Sequence, residues 1–88
     1  MKQDQVSIAI RESFGQRVRT LREAQGLSQH RFSDMISMDR SYLIDIEKGR
    51  RNISIDNLFK IAHGFGIPLS ALFEGVDDFV YEHIMLPK

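Results

Sequence analysis

Residues 28–49, SQHRFSDMISMDRSYLIDIEKG, decide the fold. Ser28 stands where an N-cap hydroxyl accepts an orphan amide of a first helical turn, and Phe32, Met35 and Ile36 follow at helical spacing as a buried stripe. That helix ends near Ser37. Asp39 is a second cap, and the helix it opens carries Leu43 and Ile46 inward until Gly49 stops it. Arg40, Ser41, Ile44 and Asp45 occupy the other faces of this helix, a surface that mixes charge, hydroxyl and an apolar group.

Upstream, Ile10, Phe14, Val18 and Leu21 recur at steps of four, four and three, which is one face of a helix spanning about Ser7 to Gln25, with Gly26 as its terminator. Residues 1–6 lack periodicity and are expected to be flexible. Downstream, GRRN (49–52) is a basic loop. Ser54 or Asp56 opens a fourth helix with Leu58, Ile61, Ala62 and Phe65 inward, ended by Gly66. Pro68 suits the start of a short fifth helix that Gly75 ends. The reading is all-α: a compact five-helix domain over residues 7–75, followed by a C-terminal segment, 76–88, whose apolar residues fit neither the helical nor the strand period.

Composition limits what such a chain can do. Eighty-eight residues make one small domain, since a chain of this size buries only roughly 60 to 65% of its unfolded surface. With no cysteine there are no disulfides, thiol catalysis or Cys-ligated zinc, and packing, aided by a partner subunit, must supply stability. No apolar run reaches the roughly 18 residues of a membrane span. The start, MKQDQVSIAIRESFG, is polar and unlike a secretory signal, so a cytoplasmic location is expected. The net charge is zero but unevenly distributed. Residues 1–65 hold eleven of the twelve Lys and Arg against eight of the twelve acids, whereas residues 66–88 hold one base against four acids. A basic face with an acidic tail pointing elsewhere fits this pattern, as does a solvated tail beside an ordinary surface.

A capped pair of short helices with basic loops around it is the geometry that sets one helix in the roughly 12 Å wide major groove of duplex DNA. Many small bundles contain such a pair, so the particular letters matter. Residues 14–73 resemble the Cro and phage-repressor type of helix-turn-helix domain, the lambda-repressor-like fold, almost without gaps. The resemblance lies in Arg19 to Gln29, in Tyr42-Leu43 with Ile46-Glu47-Lys48-Gly49, in Arg50-Arg51-Asn52, and in Ile67-Pro68-Leu69-Ser70 with Leu72-Phe73. Asp39 to Leu43 and the short chain also look like the controller proteins of restriction-modification systems. The sequence departs from the family at the turn, where Ser37-Met38 replaces the usual Gly-Val, and at Ser33, where Ala is usual.

The resemblance implies a transcription regulator that binds a palindromic operator in double-stranded DNA as a homodimer. It implies base contacts by Arg40, Ser41 and Asp45 with Ile44 beside them, and a phosphate contact by Gln29, which also braces the recognition helix. Side-chain chemistry agrees: Arg40 can pair with guanine O6 and N7, Asp45 can accept from cytosine N4 or instead orient an arginine, and Ile44 can touch a thymine methyl. Arg31, Lys48, Arg50 and Arg51 are phosphate candidates, with Asn52 in the same loop. Glu47 sits in a last helical turn, where the macrodipole disfavours a carboxylate, and the resemblance points to Arg22 as its partner. The dimer interface is expected from the fifth helix and the tail: Leu69, Leu72, Phe73, Phe79, Val80 and Ile84. The alternative for the tail is folding back onto its own core.

Other functions fit poorly. His30, His63 and His83 are far apart in sequence and unaccompanied by a ligand motif, so neither a metal nor another cofactor is expected. A helical domain this small rarely offers a catalytic cleft, which speaks against an enzyme. The competing reading is an antitoxin-like interaction module whose tail neutralises a partner protein while the helix-turn-helix autoregulates its operon.

Overall fold

The computed structural model describes residues 3–85. Its helices are α1 (Gln3–Ala24), α2 (Gln29–Met35), α3 (Arg40–Glu47), α4 (Ile55–Phe65), α5 (Leu69–Leu72) and α6 (Asp78–Val80), the last continuing into a π-helical turn, Tyr81–Met85. There is no strand among the described residues. Side-chain caps set the starts of three helices: Ser28 accepts from Arg31 N, Asp39 from Ser41 N and Ser54 from Asn57 N. Gly66 ends α4 at φ 75°, a conformation that glycine adopts without steric cost.

Helix α1 is the spine. Phe14 and Val18 enter a core shared with Phe32, Leu43, Ile46, Ile61, Phe65 and Leu72, and the Phe32 and Phe65 rings stack with centroids 4.3 Å apart. α1 begins at Gln3 rather than near Ser7. Tertiary support explains the extra turn, because α6 and the π-helical turn pack along α1.

Gly15 decides how closely α1 crosses α3. A Cβ at that position would meet the carbonyl oxygen of Ile46 and would lie 2.6 Å from that of Glu47. A glycine inside a helix costs roughly 1 kcal/mol relative to alanine, and here it lets the scaffold approach the end of α3 backbone to backbone.

The described part of the C-terminal segment is helical over residues 78–85 and folds back onto the chain's own core. Val76 and Val80 are buried, Ser13 Oγ donates to the Val76 carbonyl, and Arg17 NH2 donates to the Ala71 carbonyl at 2.8 Å. This corrects part of the interface expected from sequence. Leu72 and Val80 are 0% and 1% exposed, with no surface to offer a partner, because Leu72 belongs to the core and Val80 is covered where α6 packs on α1. Leu69, Phe73, Phe79 and Ile84 retain exposed area, and Leu86 lies outside the described residues. Met35 is also corrected. It is 53% exposed rather than part of the buried stripe, and Ser33 is buried in its place, its hydroxyl donating to the His30 carbonyl.

Candidate nucleic-acid interface

Helices α2 and α3 are joined by a turn in which Ser37 has φ 54°, the left-handed region that a side chain disfavours. The turn is held by backbone bonds from Ser37 N to Asp34 O and from Met38 N to Ser33 O, and Met38 is buried beneath it. The sequence therefore forces a serine into a glycine-like corner so that α3 leaves at the angle its core residues require.

The rear of α3 is fixed to the scaffold. Arg22 grips Glu47 through two parallel bonds, Nε to Oε2 at 2.7 Å and NH2 to Oε1 at 2.9 Å, and the two side chains are only 9% and 4% exposed. Arg22 NH1 also donates to the Leu27 carbonyl at 2.8 Å, and Gln29 Nε2 donates to Glu47 Oε1 at 3.0 Å, so one carboxylate ties α1, α2 and α3 together. The bond to Glu47 holds the Arg22 guanidinium pKa above its ordinary value, against the opposing effect of burial. Every buried side-chain nitrogen and oxygen among the described residues has a hydrogen-bond partner.

The front of α3 faces solvent. Arg40 and Ser41 are exposed in the first turn, and Ile44 and Asp45 are partly exposed one turn later. Asp39 accepts from both the Ser41 amide (2.8 Å) and the Ser41 hydroxyl (2.7 Å), and these bonds, led by the hydroxyl, hold its carboxyl below the usual range. Arg40 NH1 lies 3.5 Å from His30 Nδ1 on α2. At the other end of α3, Lys48, Arg50, Arg51 and Asn52 are all exposed, and Arg31 is exposed on α2. Asp45 faces arginines: its Oδ2 is 3.3 Å from Arg51 Nε, and its Oδ1 is 4.0 Å from Arg50 NH1.

A second surface lies on α4. Ile55 and Phe59, one turn apart, are 69% and 58% exposed, and Phe73 of α5 is 39% exposed. Nearby, an apolar groove of about 360 Å³ is lined by Ile53, Leu58, Phe73 and Val76 among others. Sequence reasoning treated α4 as a core helix and missed this face. The signal was present, since Ile55 and Phe59 form a second apolar stripe beside Leu58, Ile61, Ala62 and Phe65, and one core can cover only one side of a helix. No group of three potential metal ligands occurs among the described residues, and no described helix is long and apolar enough to cross a membrane.

Comparison with known proteins places this geometry. The helix-turn-helix family model matches residues 18–72, more than half of the chain. The chain belongs to the helix-turn-helix family. It is 45% identical over 69 residues to the control protein C.MunI of a Mycoplasma species, covering 77% of this chain and 93% of that one. It is 41% identical over 59 residues to the control protein C.BamHI of Bacillus amyloliquefaciens, covering 66% and 73%. Among solved structures it is similar to the restriction-modification controller protein C.AhdI from Aeromonas hydrophila, with TM-score 0.69 and 44% identity over 70% of this chain and 94% of that chain. The matched residues include α2, α3 and the turn between them.

Proposed function

We propose that this helix-turn-helix protein regulates transcription in the cytoplasm as a homodimer bound to a palindromic operator, as a controller protein of the kind its relatives are named for. The observation that carries the reading is the two-sided build of α3. Its rear is locked by the Arg22–Glu47 pair, and its front offers Arg40, Ser41 and Ile44 beside a basic loop. Arg40, Ser41 and Ile44 read base edges. Arg31, Lys48, Arg50, Arg51 and Asn52 hold phosphates, and Gln29 joins the backbone contact while bracing Glu47.

Two copies meet through α4 and α5, where Ile55, Phe59, Leu69 and Phe73 supply apolar surface, and Phe79 and Ile84 of the tail add exposed area of their own. Exposed apolar side chains this large on so small a domain favour a self-complementary contact.

A bind-and-sequence selection from random duplexes tests the reading. It is expected to return a palindrome with half-sites centred roughly 34 Å, one helical turn, apart. No enriched sequence would sink the proposal, and an enriched asymmetric site would sink the dimer. On the selected operator, Arg40→Ala should cost about 1 to 3 kcal/mol but much less on random DNA. Arg50→Ala should weaken both alike and lower the salt slope by about one.

A further inference from the structure

The loop arginines are not free side chains waiting for DNA. Arg51 is held from two sides by residues of α3: Asp45 Oδ2 accepts from its Nε at 3.3 Å, and its guanidinium carbon lies 5.1 Å from the centre of the Tyr42 ring. The holders are themselves fixed. The Tyr42 hydroxyl accepts from Asn57 Nδ2 at 3.2 Å, and Asn57 belongs to the capped first turn of α4. The loop backbone closes onto the same carboxylate-bearing residue, since Arg50 N donates to the Asp45 carbonyl at 2.9 Å.

We propose that Asp45 is a positioning residue that sets specificity through Arg51: it holds the arginine in the free protein and opposes its release on DNA that offers no well-placed phosphate. The proposal rests on the DNA-binding reading above. Its logic is electrostatic. The Arg51 and Asp45 side chains are 49% and 30% exposed, so the pair is weak, screened by water and salt, and a phosphate can reach the guanidinium. Reaching a distant phosphate costs Arg51 its pair with Asp45, and that cost falls on any duplex whose backbone does not come to the held guanidinium. An operator whose bases dock α3 in register brings a phosphate to Arg51 where Asp45 and Tyr42 hold it, so the pair is kept. Asp45 thus acts against random DNA without touching a base.

The test uses the full chain as wild type, Asp45→Asn, Arg51→Ala and the double variant. Affinities are measured at low and moderate salt for the selected operator and for a random duplex of equal length. Asp45→Asn is expected to tighten random DNA by up to about fivefold, the range of an exposed ion pair, and the operator by less, so the specificity ratio falls. In the Arg51→Ala background the gain should vanish. In the free protein, the Arg51 Nε–H resonance should move toward those of exposed arginines when Asp45 becomes Asn. Weaker operator binding by Asp45→Asn with or without Arg51 would mean direct base contact and overturn the proposal. So would equal tightening on both duplexes regardless of Arg51, or an unmoved Arg51 resonance. A wild type that selects no duplex would instead sink the DNA-binding reading, and the resonance would still report the hold.

Discussion

Glu47 and Asp45 stand two residues apart on one helix and both face arginines, yet their surroundings differ in kind. Glu47 looks back into the protein, where a nearly buried Arg22 meets it with two short bonds. Asp45 looks forward to solvent, where Arg50 and Arg51 meet it at 4.0 and 3.3 Å with their side chains 65% and 49% exposed. One helix can thereby be rigid in position and adjustable in contact. Water decides it, since a desolvated pair cannot be broken without leaving an uncompensated charge, whereas a wet pair exchanges partners at little cost.

The sharpest way to break this contrast is to remove one charge from each side. Glu47→Gln or Arg22→Met should cost roughly 3 to 5 kcal/mol, because either leaves a buried group without its counter-charge. In a domain of this size that lowers Tm by more than about 12 °C. The matching change on the front, Asp45→Asn, should stay within about 1 kcal/mol. Thermal unfolding of the three variants checks this, and equal melting of all three would mean the rear pair is no more structural than the front one.

The junction behind α3 can also be probed without touching charge. Gly15→Ala regains roughly 1 kcal/mol of helix propensity, but the new Cβ meets the rigid carbonyls of Ile46 and Glu47. Overpacking against backbone that cannot step aside costs about 1 to 3 kcal/mol, so a net loss is expected. Denaturant titration measures it, and a more stable variant would show that α1 and α3 have room to separate.

What could be read from sequence follows the same division between local and tertiary causes. Ser28, Asp39 and Ser54 cap helices through bonds to amides two or three residues away, so the starts of α2 and α3 were legible from their own neighbourhoods, while that of α4 stayed open between Ser54 and Asp56 until the structure showed Ser54. The Arg22–Glu47 pair was legible because a carboxylate at a helix C-terminus needs a partner, and the family resemblance supplied one. Met35, Leu72 and Val80 were misplaced because an apolar residue records only that it prefers burial, not which neighbour will cover it. The outward stripe of α4 escaped for the same reason, as did Gly15, whose role depends on a backbone that arrives from thirty residues away.

The front of α3 responds to acid through its cap. Asp39 titrates below the ordinary carboxylate value of about 3.9 because the Ser41 hydroxyl and amide both bond to the charged form. A depressed pKa means that its contribution is fully present above the unfolded value and is lost as pH falls through the folded one. Asn caps without titrating, so Asp39→Asn should remove this part of the acid dependence, and Asp39→Ala should lower Tm at neutral pH by removing the cap itself. Melting curves from pH 7 down to pH 2 follow both effects. A wild type and Asp39→Asn that lose stability in parallel would exclude the cap as the titrating group.

The smallest expected effect has the opposite sign. Ser37 turns the chain between α2 and α3 at φ 54°, where a non-glycine residue carries about 1 to 2 kcal/mol of steric cost. Glycine removes that cost but gives the unfolded chain more freedom, which takes back roughly 0.5 to 1 kcal/mol. The difference favours Ser37→Gly by about 0.5 to 1 kcal/mol. The backbone bond from Ser37 N to Asp34 O and the one Lys60 Nζ makes to the Ser37 carbonyl survive the change, and the side chain is exposed, so no core contact is lost. A rise in Tm with unchanged operator affinity would place the serine's strain in the scaffold alone. A rise in Tm with weakened binding would mean that the strained corner holds α3 at the angle its front needs, so that the adjustable face also depends on a rigid turn.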